Sequence, residues 1–349
     1  MRAAILHSFN GDLSVEEWPE PRCPEDGAVV TVEACGVCRS DHHAWTGADP
    51  DVVLPHIMGH EMAGTVREVG PACRGFTPGD RVTAPFILGC GHCADCRDGQ
   101  PTVCAQQDVI GFTVPGAFAE AVAVPHADFN LVRLPDALAF DAAAGMGCRV
   151  TTAWRALTDR AGLAPGEWLV VHGCGGVGLS AVMIGAALGA SVLAVDIKED
   201  ALAMAAALGA TATLNAASVE HTGDAVRTLT GGGAHVSLDA LGTAITFDAS
   251  LRSLRKLGRH VQIGMPVGAH ATLPLPLLEL VYARQLSLSG TRGLGAPQFR
   301  PLLEMVASGR LDPSRLITRR IALSDTQGAL EAMSQGQAAG VAVITDFAS

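Results

Sequence analysis

Hydrophobic positions change their rhythm near residue 150. Before that point apolar residues come in short β-type runs, "AVVTVEAC" (28–35), "GTVREVG" (64–70) and "GDRVTAP" (79–85), with Gly and Pro breaking the pattern at short intervals. Such punctuation predicts a compact, mostly β unit. Beyond it, strand-length apolar runs alternate with stretches of helical period. "TTAWRALTDRAGL" (151–163) predicts a helix, "EWLVVHG" (167–173) a buried strand, "VGLSAVMIGAALGA" (177–190) a helix, "SVLAVD" (191–196) a strand and "EDALAMAAALGA" (199–210) a helix. "ATLNA" (212–216), "HVSLDAL" (235–241) and "RHVQIGM" (259–265) continue the alternation. Apolar strands alternating with helices imply an α/β unit built on a parallel sheet covered on both faces. The tail from about residue 288 carries two helical stretches and a last strand, "GVAVITDF" (340–347), and is expected to return and pack on the first unit.

The length of 349 residues agrees with two domains. Hydrophobic residues at 48% and charged residues at 17% describe a globular chain. The net charge of −11, without any Lys/Arg block, argues against a nucleic-acid partner. "AVMIGAALGASVLAV" is interrupted by Gly185, Gly189 and Ser191, so it reads as helix, turn and strand rather than as a membrane span. The opening "MRAAILHSFNG" lacks the apolar length of a signal peptide, and a soluble cytoplasmic protein is expected. In a reducing compartment its ten cysteines point to metal ligation or catalysis rather than to disulfides.

"HGCGGVG" (172–178) fits G-x-G-x-x-G at Gly173, Gly175 and Gly178, following a strand and opening a helix, with Asp196 ending the next strand. That context turns a weak motif into a dinucleotide-binding reading, with the pyrophosphate at the helix N-terminus. Asp196 would accept hydrogen bonds from the adenosine ribose and repel a 2′-phosphate, favouring NAD over NADP. The bland alternative is a glycine turn in an α/β domain with Asp196 as a helix cap.

Cys90, Cys93, Cys96 and Cys104 are spaced C-x2-C-x2-C-x7-C. Four thiolates so close in sequence can close a tetrahedral shell around one structural zinc. An iron–sulfur reading is weaker, because the last gap is seven and Ala105, not Pro, follows. A nucleic-acid-gripping zinc ribbon is disfavoured by the acidic balance. His92 reads as a solvated bystander. A polar cluster, "GVCRSDHH" (36–43), is followed by "GHE" (59–61). Taken singly, Cys38, His60 and Cys148 are too far apart in sequence for spacing to join them.

Together these segments resemble the zinc-dependent alcohol dehydrogenases of the medium-chain dehydrogenase/reductase family over essentially the whole chain. "GVCRSDHH", "GHEMAGTVREVG" (59–70), the four-cysteine lobe, "GMGCRVTTAW" (145–154) and "GCGGVG" (173–178) occur in the family's order. The resemblance implies a GroES-like, mostly β catalytic domain at 1–149 and 289–349, and a Rossmann doubly wound cofactor domain at 150–288. It implies Cys38, His60 and Cys148 as catalytic-zinc ligands, Asp41 orienting His60, Glu61 behind the metal, and Ser40 and His43 as a proton relay. His42 points elsewhere in the family pattern and reads as a surface residue. The resemblance also implies cofactor contacts at Arg39, Thr152, Gly173, Gly175, Gly176, Val177, Gly178, Asp196, Gly242, Ile263, Gly264 and Arg292, and places Trp45 and Phe86 where the family lines its alcohol pocket, with plain core as the alternative reading of these two aromatics. Cys148 favours the alcohol dehydrogenase branch over the polyol dehydrogenases. Two zinc ions, NAD, a small alcohol interconverted with its aldehyde or ketone, and a homodimer or homotetramer are therefore expected. The chemistry suits the groups: an open zinc position lowers the pKa of a bound oxygen from roughly 16 to about 7, making an alkoxide available for hydride loss. Cys23, Cys35, Cys73 and Cys174 match no ligand position and are expected to be free, mostly buried thiols.

Overall fold

The computed structural model describes residues 1–336 and 340–348. The chain divides into two compact units, one formed by Met1–Thr151 with Gly293–Ser349, the other by Thr152–Arg292.

The spine of the first unit is the strand Ala28–Val37, whose burial is nearly continuous. It pairs antiparallel with Glu61–Val69 on one side and with the chain's last strand, Val341–Asp346, on the other, while Ala121–Val124 pairs along its first half. The tail thus returns to the first unit, as its apolar run predicts. It also carries a strand that the pattern does not disclose. Ile317–Ala322 lies parallel to Val341–Asp346, and its Thr318, Arg319 and Arg320 are exposed, so the strand shows no apolar run. A smaller sheet places Arg2–Leu6 between Leu13–Glu17 and His56–Ile57. Ile5, Leu6, Ile57, Met58, Met62 and Phe118 are fully buried in the core. The helix predicted from residue 151 begins earlier, at Phe140, and continues to Arg155. Its first half escapes periodicity because Ala142, Ala143, Ala144, Gly145 and Met146 are all buried, leaving no polar face to mark the turns. The helix breaks at Gly147 (φ 6°, ψ −125°).

The second unit is a six-stranded parallel sheet in the order Ala212–Asn215, Ser191–Asp196, Trp168–His172, Ala234–Asp239, Leu254–Gln262, Ser287–Gly290. Numbered along the unit this is 3-2-1-4-5-6, the Rossmann order, and the reversal beside Trp168–His172 creates the crevice where such sheets bind ligands. Helices Gly176–Ala187, Glu199–Ala207, Thr222–Leu229 and Ala244–Ser253 connect the strands. No helix among the described residues is long and apolar enough to cross a membrane.

Two histidines lie inside this sheet unit. His172 Nε2 meets Ser253 Oγ at 3.1 Å, and His260 Nδ1 meets Ser250 Oγ at 2.9 Å. Burial pushes His172 down to about 3, with His260 nearby adding to the effect, and burial pushes His260 down to about 4 against the pull of Asp239. The folded state therefore holds both rings neutral, whereas the unfolded chain protonates them below about 6.5. Their contribution to stability is complete above that value and is lost as pH falls toward 4 and below. Two extra protons on the unfolded side give a slope of about 2.7 kcal/mol per pH unit within the window. Urea midpoints measured from pH 7 to pH 4 should fall steeply for the native chain and less steeply for the H172Q/H260Q variant. Equal slopes would remove these rings as the cause.

Candidate functional site

The strand Ala28–Val37 delivers Cys38 to the start of helix Arg39–Thr46, where Cys38 is the cap residue. Asp41, fully buried at the third helical position, returns one carboxylate oxygen to the Cys38 N–H (2.7 Å). Its other oxygen accepts from His60 Nδ1 (2.8 Å) and the Gly59 N–H (3.2 Å). One aspartate thus ties the "GVCRSDHH" loop to the "GHE" loop. The third segment arrives through the break at Gly147, which frees the Cys148 N–H from the helical ladder to donate to Glu61 Oε1 (2.9 Å).

Cys38, His60, Glu61 and Cys148 bring one potential ligand atom each to within 4.8 Å of one another, and all four are buried. The hydrogen bond from Cys148 and the neighbouring His60 hold the Cys38 sulfur well below the usual thiol range despite burial. Burial disfavours a charged His60 ring, but Asp41 and Cys38 outweigh it and hold the imidazole well above its ordinary value. With Nδ1 taken by Asp41, His60 Nε2 is buried and has no hydrogen-bond partner among the described residues. A divalent cation would replace the acidic protons and satisfy that nitrogen. Two sulfurs and one imidazole are a donor set that suits zinc, and the carboxylate-backed imidazole is the usual support for such a ligand. The residues present therefore fit a metal of this kind.

Ser40 Oγ lies 3.9 Å from Cys38 Sγ. His43 is half-buried; burial lowers its pKa, and its Nδ1 has no hydrogen-bond partner among the described residues. His42 is likewise half-buried, and its Nε2 meets the exposed Ser334 Oγ at 2.6 Å. Phe86 packs edge-on to the His60 ring at 5.6 Å, and so does Phe112 at 5.3 Å. Trp45 is half-buried, its indole N–H donating to the Gly11 carbonyl (2.7 Å). Arg39 is exposed.

The other four cysteines, Cys90, Cys93, Cys96 and Cys104, also hold their sulfurs within 4.8 Å of one another. Backbone N–H groups of Cys93, Cys96 and Gln106 point at the sulfurs of Cys90, Cys93 and Cys104 (3.3–3.5 Å). The backbone N–H groups of His92 and Cys93 pull Cys90 down to about 6, while burial pushes Cys96 up to about 12 and raises Cys104. The donors thus favour the thiolate, the form a metal binds, at Cys90. The His92 side chain is exposed, with Nδ1 on the Cys90 carbonyl (2.8 Å). All ten cysteines are free thiols, and Cys35, Cys73 and Cys174 are buried.

In the second unit the glycine turn runs from Trp168–His172 into helix Gly176–Ala187. A Cβ on Gly178 would sit 1.8 Å from the Gly173 carbonyl oxygen, so only glycine permits this close packing, while a Cβ on Gly175 would meet nothing within 4 Å. Open space beside free helix-terminal N–H groups is what a pyrophosphate requires. Asp196 ends its strand and accepts from the backbone N–H groups of Cys174 (2.7 Å), Ile197 (2.7 Å) and Lys198 (3.0 Å). It therefore pins the turn, but it does not cap the next helix, Glu199–Ala207, whose cap residue is Lys198 and which has no side-chain cap hydrogen bond. Gly242 and Gly264 press against each other, since a Cβ on either would strike the other's loop backbone, and Ile263 and Gly264 donate to the Asp239 carbonyl. Thr152 and Arg292 bound this unit, Thr152 buried and Arg292 exposed.

Two residues, Phe112 and Arg149, escaped the sequence reading. Phe112 flanks His60. Asp239, fully buried, accepts the N–H groups of Leu241 and Gly242 and so shapes the loop at 239–242. Arg149, 3% exposed, contacts the Glu61 carboxylate and donates to the Val37 carbonyl (2.9 Å). The one signal for Arg149 was a charged residue inside an otherwise apolar helical segment.

A family model described as "Alcohol dehydrogenase GroES-like domain" matches residues 24–136, and one described as "Zinc-binding dehydrogenase" matches residues 176–308. An alcohol dehydrogenase of Geobacillus stearothermophilus is 33% identical over 99% of both chains. An NAD-dependent alcohol dehydrogenase of Sulfurisphaera tokodaii is 31% identical, again over 99% of both. The solved alcohol dehydrogenase TADH from Thermus sp. ATN1 superposes with a TM-score of 0.91 at 31% identity, covering 99% of this chain and 100% of that one. With relatives of this likeness along its full length, the chain belongs to the zinc-type alcohol dehydrogenases of the medium-chain dehydrogenase/reductase family.

Proposed function

We propose that the protein is an NAD-dependent alcohol dehydrogenase with two zinc ions per subunit, interconverting a small alcohol and its aldehyde or ketone. The observation that carries this reading is the buried meeting of Cys38, His60 and Cys148 around an imidazole nitrogen that lacks a partner. Those three residues would hold the catalytic zinc, and Cys90, Cys93, Cys96 and Cys104 a structural one. When bound, the zinc would supply the Lewis acidity that makes an alcohol hydroxyl acidic near neutral pH, and the nicotinamide would supply the hydride acceptor. Asp41 holds the His60 ring in the tautomer that leaves Nε2 for the metal. Phe86, Phe112 and Trp45 exclude water beside the reacting carbon. Ser40 and His43 move the alcohol proton outward; burial keeps His43 neutral at physiological pH, ready to accept it.

Gly173, Gly175, Gly176, Val177 and Gly178 would cradle the pyrophosphate, with Arg39, Thr152 and Arg292 as further cofactor contacts. Gly242, Ile263 and Gly264 form the loops on the nicotinamide side. Asp196 would bind the adenosine ribose through carboxylate lone pairs left over from its backbone contacts. An assembly of two or four copies fits the open edge strand Ser287–Gly290, near which Leu277, Leu278 and Tyr282 are 60–76% exposed. Ten unpaired cysteines suit a reducing compartment such as the cytoplasm.

The test is a steady-state panel of alcohols with NAD and NADP for the native chain and the D196A variant. A charge-assisted hydrogen bond of about 1.5–3 kcal/mol corresponds to a roughly 10- to 100-fold rise in KM for NAD, with discrimination against NADP relaxed. An unchanged NAD:NADP ratio would count against Asp196, and no alcohol oxidation with either cofactor would count against the whole reading.

A further inference from the structure

Arg149 is buried to 3% exposure yet serves none of the roles assigned above. One guanidinium nitrogen donates to the carbonyl of Val37, at 2.9 Å, and the other meets Glu61 Oε2. Glu61, fully buried, spends its remaining oxygen on the Cys148 N–H. These contacts follow a rule. Val37 precedes Cys38, Glu61 follows His60, and Arg149 follows Cys148. Each residue in the ion pair and its hydrogen bonds is thus a proposed ligand or one peptide away from one.

Room for the pair is built into the backbone. A Cβ on Gly36 would lie 2.2 Å from Glu61 Oε2 and 2.8 Å from the Arg149 guanidinium, and a Cβ on Gly147 would lie 2.4 Å from the Glu61 side chain. Two glycines, one on the strand before Cys38 and one at the helix break before Cys148, open the slot that the pair fills. A buried ion pair adds little stability compared with well-packed apolar side chains of the same size. Its geometry, a planar fork joining two segments at fixed angles, is what an apolar replacement cannot reproduce.

We infer that Arg149 is a positioning residue of the proposed catalytic-metal site: through the Val37 carbonyl and the Glu61 carboxylate it gathers the segments bearing Cys38, His60 and Cys148 into ligand range. The inference rests on the proposed assignment of those three ligands. It also gives Glu61 a structural task, because both its oxygens are occupied by the clasp.

The experiment measures zinc content and chelator competition on the full chain, native and as R149M, R149K and the double variant E61Q/R149M. The native chain should bind two zinc ions; only one would sink the ligand assignment itself, independently of Arg149. In R149M the zinc of the four-cysteine lobe should remain, while affinity at the second site falls about 10- to 100-fold, the scale for groups that orient metal ligands. R149K, a point charge able to hold one partner at a time, should recover part of the loss. E61Q/R149M leaves no unpaired charge to threaten folding and should still bind the second zinc weakly. Native affinity in R149M, or its return in the double variant, would overturn the proposal, the latter by reducing Arg149 to a counter-charge for Glu61.

Discussion

The C148S variant should lose the second zinc and nearly all turnover while still binding NADH. Serine is close to isosteric with the cysteine it replaces, so the buried packing around position 148 survives. What changes is the donor. A thiolate binds zinc strongly, whereas a serine hydroxyl stays protonated near neutral pH and leaves two of the three ligands to hold the ion. The Lewis acidity lost is worth several kcal/mol at the transition state, which places the fall in kcat/KM on the order of 10³-fold or more. The glycine turn belongs to the other unit, Thr152–Arg292, and does not depend on this sulfur. NADH fluorescence titration should therefore give a dissociation constant within a few-fold of the native one. Full activity in C148S, measured by NADH absorbance, would refute the assignment of the ligand and with it the proposed chemistry.

Disrupting the four-cysteine lobe should act on stability instead of chemistry. Cys104 is fully buried, with its sulfur 3.7 Å from that of Cys93. Around it there is little else to hold the chain: a four-residue helix, Ala94–Arg97, a single turn, Pro101–Val103, and a small cluster of Cys90, Cys96 and Cys104 against Phe129. A segment with so little apolar burial cannot offset the entropy of ordering its backbone. The proposed zinc would supply the difference. In C104A the lobe should release its zinc, and stability should fall by on the order of 4 kcal/mol. The observable results are a lower thermal midpoint and new protease cleavage between residues 90 and 104, with the second zinc retained. An unchanged midpoint and two bound zinc ions would show that the lobe orders itself without metal.

Local pattern was enough where a contact lies close along the chain. The sulfurs of Cys90, Cys93, Cys96 and Cys104 meet within a single loop, so their spacing already contains the geometry. The alternation from residue 167 onward is legible for a similar reason: strands buried on both faces have no choice but to be apolar, and each crossover helix follows its strand directly. Edges and small-residue helices are less legible. Ile317–Ala322 keeps polar side chains because one flank faces solvent, and Phe140–Met146 hides its helix behind alanines and glycines buried on every side.

The amino-acid order by itself determined the change of rhythm near residue 150, the strand–helix alternation with its glycine turn, and the four-sulfur lobe, since each is written in the pattern of neighbouring positions. Only the tertiary structure decided that Cys38, His60 and Cys148 share one buried point, that Asp41 and Arg149 tie their segments together, and that Phe112 closes one side. Those encounters span up to 112 residues, between Val37 and Arg149. They depend on a strand, a cap and a broken helix being packed at fixed distances, a relation between segments that no local spacing along the chain encodes.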